Sequence, residues 1–263
     1  GQASALFHKY HLDAAGIVNR MALEEARSDL SLFIPQMDKP FPTYPRKLYS
    51  FKELYAGYDY HDESTFETCF DTRVYNHYIS YGKQRGKDVR ETLARSLHDH
   101  FITRCMYRLL DTYDEKMVIG IMGGHAKRRD DPGYRQIVLL SKKLTEMGRL
   151  MVTGGGPGAM EATHLGAWMA GRSEAEVDEA IGMLSPSPTF RDEGWLRRSF
   201  EVMERFPLQT EYRSLAIPTW YYGHEPTAPF ATDIAKYFDN SIREDGVVTV
   251  AKGGIIYTPG SAG

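Results

Sequence analysis

Three glycine-rich loops hold the residues whose types and spacing could do chemistry: 123–125, 154–158 and 259–263. Each loop directly follows a short apolar run, which is typical of a buried strand. Glycines let the backbone approach a ligand closely, and a helix behind them offers N–H groups and the positive end of its dipole. Because parallel strands end at one edge of a sheet, the loops can converge on one crevice. They predict a phosphate or nucleotide site, with ligand-free tight turns as the alternative for any single loop.

The candidate nucleotide-binding residues lie in these loops or beside them: Gly123, Gly124, His125, Thr153, Gly154, Gly155, Gly156, Pro157, Gly158, Met160, Pro259, Gly260, Ser261 and Gly263. His125 follows a strand directly, which is where ligands bind in such sheets, but it could equally be an ordinary loop residue. A Walker-type phosphate loop needs a lysine after its glycines, and this sequence has none there.

A dinucleotide site is a weaker alternative. Gly154, Gly156 and Ala159 match the G-x-G-x-x-G/A pattern, but they follow the second strand of the domain rather than the first. The acidic residue of that pattern should end the next strand, about 20 positions on. Asp178 and Glu179 are at this distance, yet they fall in a predicted helix. The pattern therefore gives only weak support to an NAD site.

The elements that must position these loops alternate between strands and helices from residue 113 onward. The predicted strands are 117–122, 150–153, 215–222 and 254–257. The predicted helices are 134–147, 159–170, 192–206, 230–238 and 240–252. This alternation predicts an α/β fold, a Rossmann-like parallel sheet with helices on both faces, over 113–263.

Residues 1–112 predict a mostly helical N-terminal region. Its strongest helix is 88–111, where apolar residues recur at every fourth position from Val89 to Leu109. A weaker helix is expected over 13–29, and the proline-rich stretch 35–45 should be an extended loop. The second domain stops inside its third glycine loop, so we expect it to be truncated at its C-terminal end.

Composition narrows the class of protein. The chain has 263 residues, a net charge of −3 and 42% hydrophobic residues, so a general nucleic-acid binder, which is normally basic, is not expected. No apolar run approaches the roughly 18 residues of a membrane span. Two cysteines, Cys69 and Cys105, cannot build a disulfide framework. We expect a cytoplasmic protein that binds no membrane.

Residues 152–162, Val-Thr-Gly-Gly-Gly-Pro-Gly-Ala-Met-Glu-Ala, resemble the first signature of the LOG family. These are Rossmann-like phosphoribohydrolases, long mislabelled as lysine decarboxylases. Residues 256–263 resemble the start of the second signature, P-G-G-x-G-T-x-x-E, with Ser261 where the family has glycine. Residues 119–125 and 129–132 are similar to the nucleotide 5′-monophosphate nucleosidase branch. The resemblance covers roughly 117–263.

The resemblance implies hydrolysis of the N-glycosidic bond of a nucleoside 5′-monophosphate to free base and ribose 5-phosphate. It implies that the 5′-phosphate sits on the N–H groups of 260–263, with help from 155–158. The family's carboxylate, which stabilises oxocarbenium character on the ribose, would be the fourth residue beyond Gly263. No cofactor and no metal are implied, and the implied assembly is a homodimer or higher homo-oligomer.

Two catalytic residues carry over from the family. Arg243, 16 residues before Pro259, is the nearest match to the family's arginine, and Arg213 is a second candidate cation. Glu161 matches the glutamate of the first signature, although a carboxylate in the first turn of a helix is also favoured by the dipole alone. A non-catalytic nucleotide sensor or carrier that uses the same crevice is the alternative function.

Overall fold

The computed structural model describes residues 39–259. Its strands are β1 (Val118–Met122), β2 (Leu150–Thr153), β3 (Ser214–Ala216), β4 (Asp233–Ile234) and β5 (Gly254–Tyr257). Its α-helices are α1 (Phe51–Leu54), α2 (Phe70–Ser80), α3 (Val89–Leu110), α4 (Pro132–Glu146), α5 (Ala159–Trp168), α6 (Glu174–Leu184), α7 (Trp195–Arg205) and α8 (Asn240–Val250). Short 3-10 turns at 63–68, 83–85, 115–117 and 220–222 complete the regular structure.

The five strands form one parallel sheet in the order β4-β3-β2-β1-β5. The chain steps outward from β1 to β4 and then returns to the other side of β1, so the strand order reverses between β1 and β5. Neighbouring residues of β1 point to opposite faces of the sheet, and their contacts show that helices cover both faces. Gly120 faces Val247 and Ala251 of the α8 segment, whereas Ile121 belongs to the hydrophobic cluster that includes Tyr134 of α4. The predicted α/β fold with a parallel sheet is confirmed.

Local signals explain where several of these elements begin. Pro132 opens α4 directly after Asp131, whose carboxylate accepts a hydrogen bond from the Gly133 amide at 2.6 Å. Proline suits this first helical position because its missing N–H would have no helical partner there. Asp88 caps α3 in the same way, accepting from the Glu91 amide at 2.8 Å. The helices predicted over 134–147 and 159–170 agree with α4 and α5 to within two residues at each end.

The buried face of α3 differs from the predicted stripe. Val89 is 82% exposed and Leu93 is 44% exposed. A strict four-residue spacing advances more than one turn per step and drifts around the helix by about 40° each time. The face that packs inward combines apolar and polar side chains: Glu91, Ala94, Arg95, His98, Asp99, Phe101, Ile102, Cys105, Met106 and Leu109.

The predicted helix over 230–238 is wrong. This stretch contains β4, and beyond the strand the Ala235 amide donates to the Ala216 carbonyl at 2.8 Å and the Tyr237 amide to the Pro218 carbonyl at 3.0 Å. A short apolar run that is buried all round has no periodicity that separates helix from strand. β3 also ends earlier than predicted, at Ala216, shortly before Pro218, which cannot donate to a ladder.

Residues 40–259 belong to one compact unit, which includes helices α1 to α3 as well as the sheet. The predicted helix over 13–29 lies outside the described residues. Among residues 39–259, no helix combines the length and the apolar character that crossing a bilayer requires.

Candidate functional site

The loops after β1 and β2 pack directly on each other. The Ala159 amide at the start of α5 donates to the Gly124 carbonyl at 3.0 Å. Gly158 has φ +72°, and a Cβ there would overlap the carbonyl oxygens of Gly124 and His125. Only glycine combines this backbone conformation with so close an approach. The two glycine loops are therefore one joined structure at the carboxyl edge of the sheet.

The end of β5 meets the same place. The Thr258 amide donates to the Met122 carbonyl at 2.9 Å, and a Cβ on Gly124 would lie 2.8 Å from Thr258 Oγ1. Pro259 follows and is exposed, as is His125. The remaining predicted residues of this third loop lie outside the described residues: Gly260, Ser261 and Gly263.

Thr153 shapes the second loop from inside the protein. Its hydroxyl accepts from the Gly155 amide at 2.9 Å and lies 2.7 Å from His164 Nε2. His164 Nδ1 lies 2.9 Å from Ser214 Oγ, which links the loop to β3. Burial lowers the pKa of His164 to about 3, so this imidazole is neutral. Thr153 is fully buried, so its role is to hold the conformation of the glycine loop.

Arg243 lies against the start of this loop. Its Nε is 3.0 Å from where a Cβ on Gly154 would be, and its guanidinium lies 4.5 Å from the centre of the Tyr222 ring. Arg243 Nη2 is 4.0 Å from Met160 Sδ. Helix α8, capped by Asp239, carries the arginine to this position. The structure thus brings together Arg243, Gly154 and Met160, which lie far apart along the chain.

A narrow cleft lies beside Arg243. Its lining consists of Gly154, Gly155, Gly156, Pro218, Thr219, Tyr222, Glu225, Pro226, Thr227 and Arg243. Its volume of about 10 Å³ is far smaller than the roughly 300 Å³ of a small-molecule pocket, so the cleft is closed to a ligand of that size in this structure.

Tyr222 and Glu225 are cleft residues that the sequence analysis missed. Glu225 Oε2 is 3.7 Å from where a Cβ on Gly156 would be, and the Glu225 side chain is 17% exposed. Neither residue belongs to a recognisable motif. Their one signal in the sequence is position, because the segment follows a strand and so begins at the ligand-binding edge of a parallel sheet.

Glu161 faces the protein interior instead. It is 1% exposed, and its carboxylate oxygens lie 3.1 and 3.2 Å from Arg129 Nε. Arg129 is equally buried and also donates to Ser199 Oγ at 2.7 Å and to the Trp195 carbonyl at 2.9 Å. Because Arg129 follows the first glycine loop and Glu161 follows the second, this ion pair holds the two loops together.

The other charged candidates also point elsewhere. Arg213 pairs with Asp233 at 2.6 Å, and Asp233 begins β4, at the edge of the sheet opposite the loops. Asp178 lies in helix α6, as predicted, and not at the end of a strand, where a dinucleotide site would need it. It pairs with Arg135 at 2.6 Å. Within the described part of the chain, no group of three or more His, Cys, Asp and Glu side chains could hold a metal ion.

Cys69 and Cys105 are both buried free thiols. Tyr55 is 3% exposed, and its hydroxyl donates to the Thr227 carbonyl at 2.6 Å, so this side chain packs inside the protein.

The cleft offers four chemical groups within a short distance: glycine backbone, a guanidinium on Arg243, the aromatic ring of Tyr222 and the carboxylate of Glu225. Backbone amides and a guanidinium suit phosphate, and a carboxylate suits hydroxyl groups or a developing positive charge. Comparison of the chain with models of known protein families and with curated proteins finds no match.

Proposed function

We propose that this protein is a nucleotide 5′-monophosphate nucleosidase of the LOG type, which hydrolyses a nucleoside 5′-monophosphate to free base and ribose 5-phosphate. One observation carries the proposal: Arg243 lies directly against Gly154 of the first signature loop, in a cleft at the carboxyl edge of the parallel sheet. A signature loop and the arginine that the resemblance pairs with it, 89 positions apart, are neighbours in space.

The chemistry needs few groups. Water adds to C1′ of the ribose while the C1′–N bond breaks, and the base leaves with the bonding electrons and gains a proton. The transition state has oxocarbenium character, which a nearby carboxylate stabilises. Among the described residues, Glu225 presents such a carboxylate to the cleft and can accept the proton of the attacking water. Arg243 supplies positive charge for the phosphate or for the ribose hydroxyls.

The test is a substrate panel. The full chain is incubated with AMP, GMP, IMP, CMP and UMP, and ribose 5-phosphate and free base are both measured. We expect equal amounts of the two products from at least one nucleotide and none from the matching nucleosides, which lack the phosphate. Folded protein that releases neither product from any nucleotide would contradict the proposal.

A nucleotide sensor without turnover is the second candidate. The observation that favours it is the position of Glu161, whose carboxylate is engaged by Arg129 in the interior rather than directed at a ligand. Tight binding of AMP or another nucleoside monophosphate, measured by calorimetry, together with no product in the panel would favour this alternative.

A further inference from the structure

A buried ion pair lies next to the segment that lines the cleft. Lys236 is 1% exposed, and its Nζ lies 2.7 Å from both carboxylate oxygens of Asp71 on α2. The same Nζ lies 2.7 Å from Thr227 Oγ1. An ammonium has three N–H donors, so these three acceptors match it fully. Burial lowers the pKa of Lys236, and the Asp71 carboxylate opposes that shift.

Asp71 contacts both ends of the segment 220–227. Trp220 Nε1 donates to Asp71 Oδ1 at 2.8 Å, and Thr227 Oγ1 donates to Asp71 Oδ2 at 3.4 Å. All four residues of this network are buried. The network therefore fixes both ends of segment 220–227, and the residues between them take no part in it.

The middle of this segment carries the cleft. Tyr222 and Glu225 lie between the two ends, and both line the space beside the glycine loop. Next to the segment, the Ala228 amide donates to the Gly155 carbonyl at 2.9 Å. The position of two cleft side chains thus depends on the contacts that Asp71 of α2 makes with both ends of the segment.

We propose that Asp71 and Lys236 are positioning residues of the candidate nucleotide site, which hold segment 220–227 so that Tyr222 and Glu225 face the glycine loop. This inference rests on the proposed function for its effect on catalysis. It gives α2, which belongs to the region without a sequence motif, a part in the site. The two residues act through Trp220 and Thr227.

The first test measures the segment itself and needs no ligand. Asp71→Asn turns one acceptor toward Lys236 into an amide donor, so we expect amide hydrogen exchange within 220–227 to quicken by about tenfold, while β1 and β2 stay protected. Glu91→Gln is the matched control, because Glu91 is buried and pairs with Arg95 within α3 at 2.6 Å. Exchange within 220–227 that is unchanged in Asp71→Asn, or raised equally by both variants, would overturn the inference.

The second test uses the double variant Asp71→Asn/Lys236→Met, which removes both buried charges and so avoids the cost of leaving Lys236 buried without its counter-charge. If the residues position the cleft, KM for the best nucleotide rises at least several-fold while kcat falls less, and the double variant is no worse than the poorer single variant. If kcat and KM of the variants both equal those of the wild-type protein, the positioning role is overturned. Absent wild-type turnover contradicts the proposed function alone, because the exchange experiment still decides the inference.

Discussion

Arg129 and Arg243 contact the two ends of segment 154–161, and their surroundings differ. Arg129 is 1% exposed, and Glu161, Ser199 and two backbone carbonyls take up its donors. Arg243 is half-buried on the ring of Tyr222 and lines a cleft. The Arg129 region therefore holds the loops in place, whereas the Arg243 region borders the cleft.

The residues of the first signature, 152–162, fall into two groups with different surroundings. The sequence treats Glu161 and Arg243 alike, as two catalytic candidates. In the structure, Glu161 belongs to the Arg129 region, where a buried carboxylate balances a buried cation. The same motif thus contributes a buried, ion-paired glutamate and glycines that line the cleft, and the two sets of residues should respond differently to substitution.

The largest expected effect is on the stability of the Arg129 region. Glu161→Ala leaves the buried guanidinium of Arg129 without its counter-charge, so we expect a loss of about 3–5 kcal/mol in the free energy of unfolding. Urea denaturation followed by circular dichroism measures it. A loss under about 1 kcal/mol would show that the ion pair does not hold the loops together and would break the comparison.

In the Arg243 region the expected effect is on activity instead. Arg243→Met should lower kcat/KM for the best nucleotide by about a hundredfold, the usual cost of removing one charged or hydrogen-bonding contact to a transition state. The free energy of unfolding should change by less than about 1 kcal/mol, because the side chain is half-exposed. Arg213→Met is the control, since Arg213 lies at the opposite edge of the sheet. Equal losses of activity in both variants would contradict the assignment of Arg243.

The buried imidazole of His164 predicts how the stability of the protein depends on pH. His164 is neutral in the folded protein, with a pKa of about 3, against 6.5 when unfolded. Below pH 6.5 the unfolded chain binds a proton that the folded chain does not, so stability falls as pH falls toward 3, by about 1.4 kcal/mol per pH unit. Between pH 5.5 and 4.5, wild type should therefore lose about that much more than His164→Gln. Equal pH slopes for the two proteins would show that His164 is protonated in the fold.

The smallest expected effect belongs to an exposed ion pair. Asp178→Ala removes one of the two ion-pair partners of Arg135, and the Arg135 and Asp178 side chains are 40–50% exposed, so we expect a change under about 1 kcal/mol. Thermal unfolding at low and at 0.5 M salt measures it. A loss comparable to that of Glu161→Ala would mean that burial does not explain the difference between the two regions.

Much of the fold follows from the sequence, because its signals are local. Short apolar runs ending in glycine predicted β1, β2 and β5, and proline or aspartate marked the starts of helices. The predicted helix over 230–238 failed because β4 is defined by its pairing with β3 rather than by its own pattern. The buried face of α3 failed for a related reason: it includes Glu91 and Asp99, whose burial depends on partners elsewhere in the chain.

For the candidate site, the sequence by itself determined that glycine loops end the strands of a parallel sheet, since backbone preference and periodicity act over a few residues. Tertiary structure alone decided which charged side chains reach the cleft. Asp71 and Lys236 are 165 positions apart, and Glu225 belongs to no motif. Burial and charge pairing depend on atoms from distant parts of the chain, so they separate Glu161 from Arg243 only after the chain has folded.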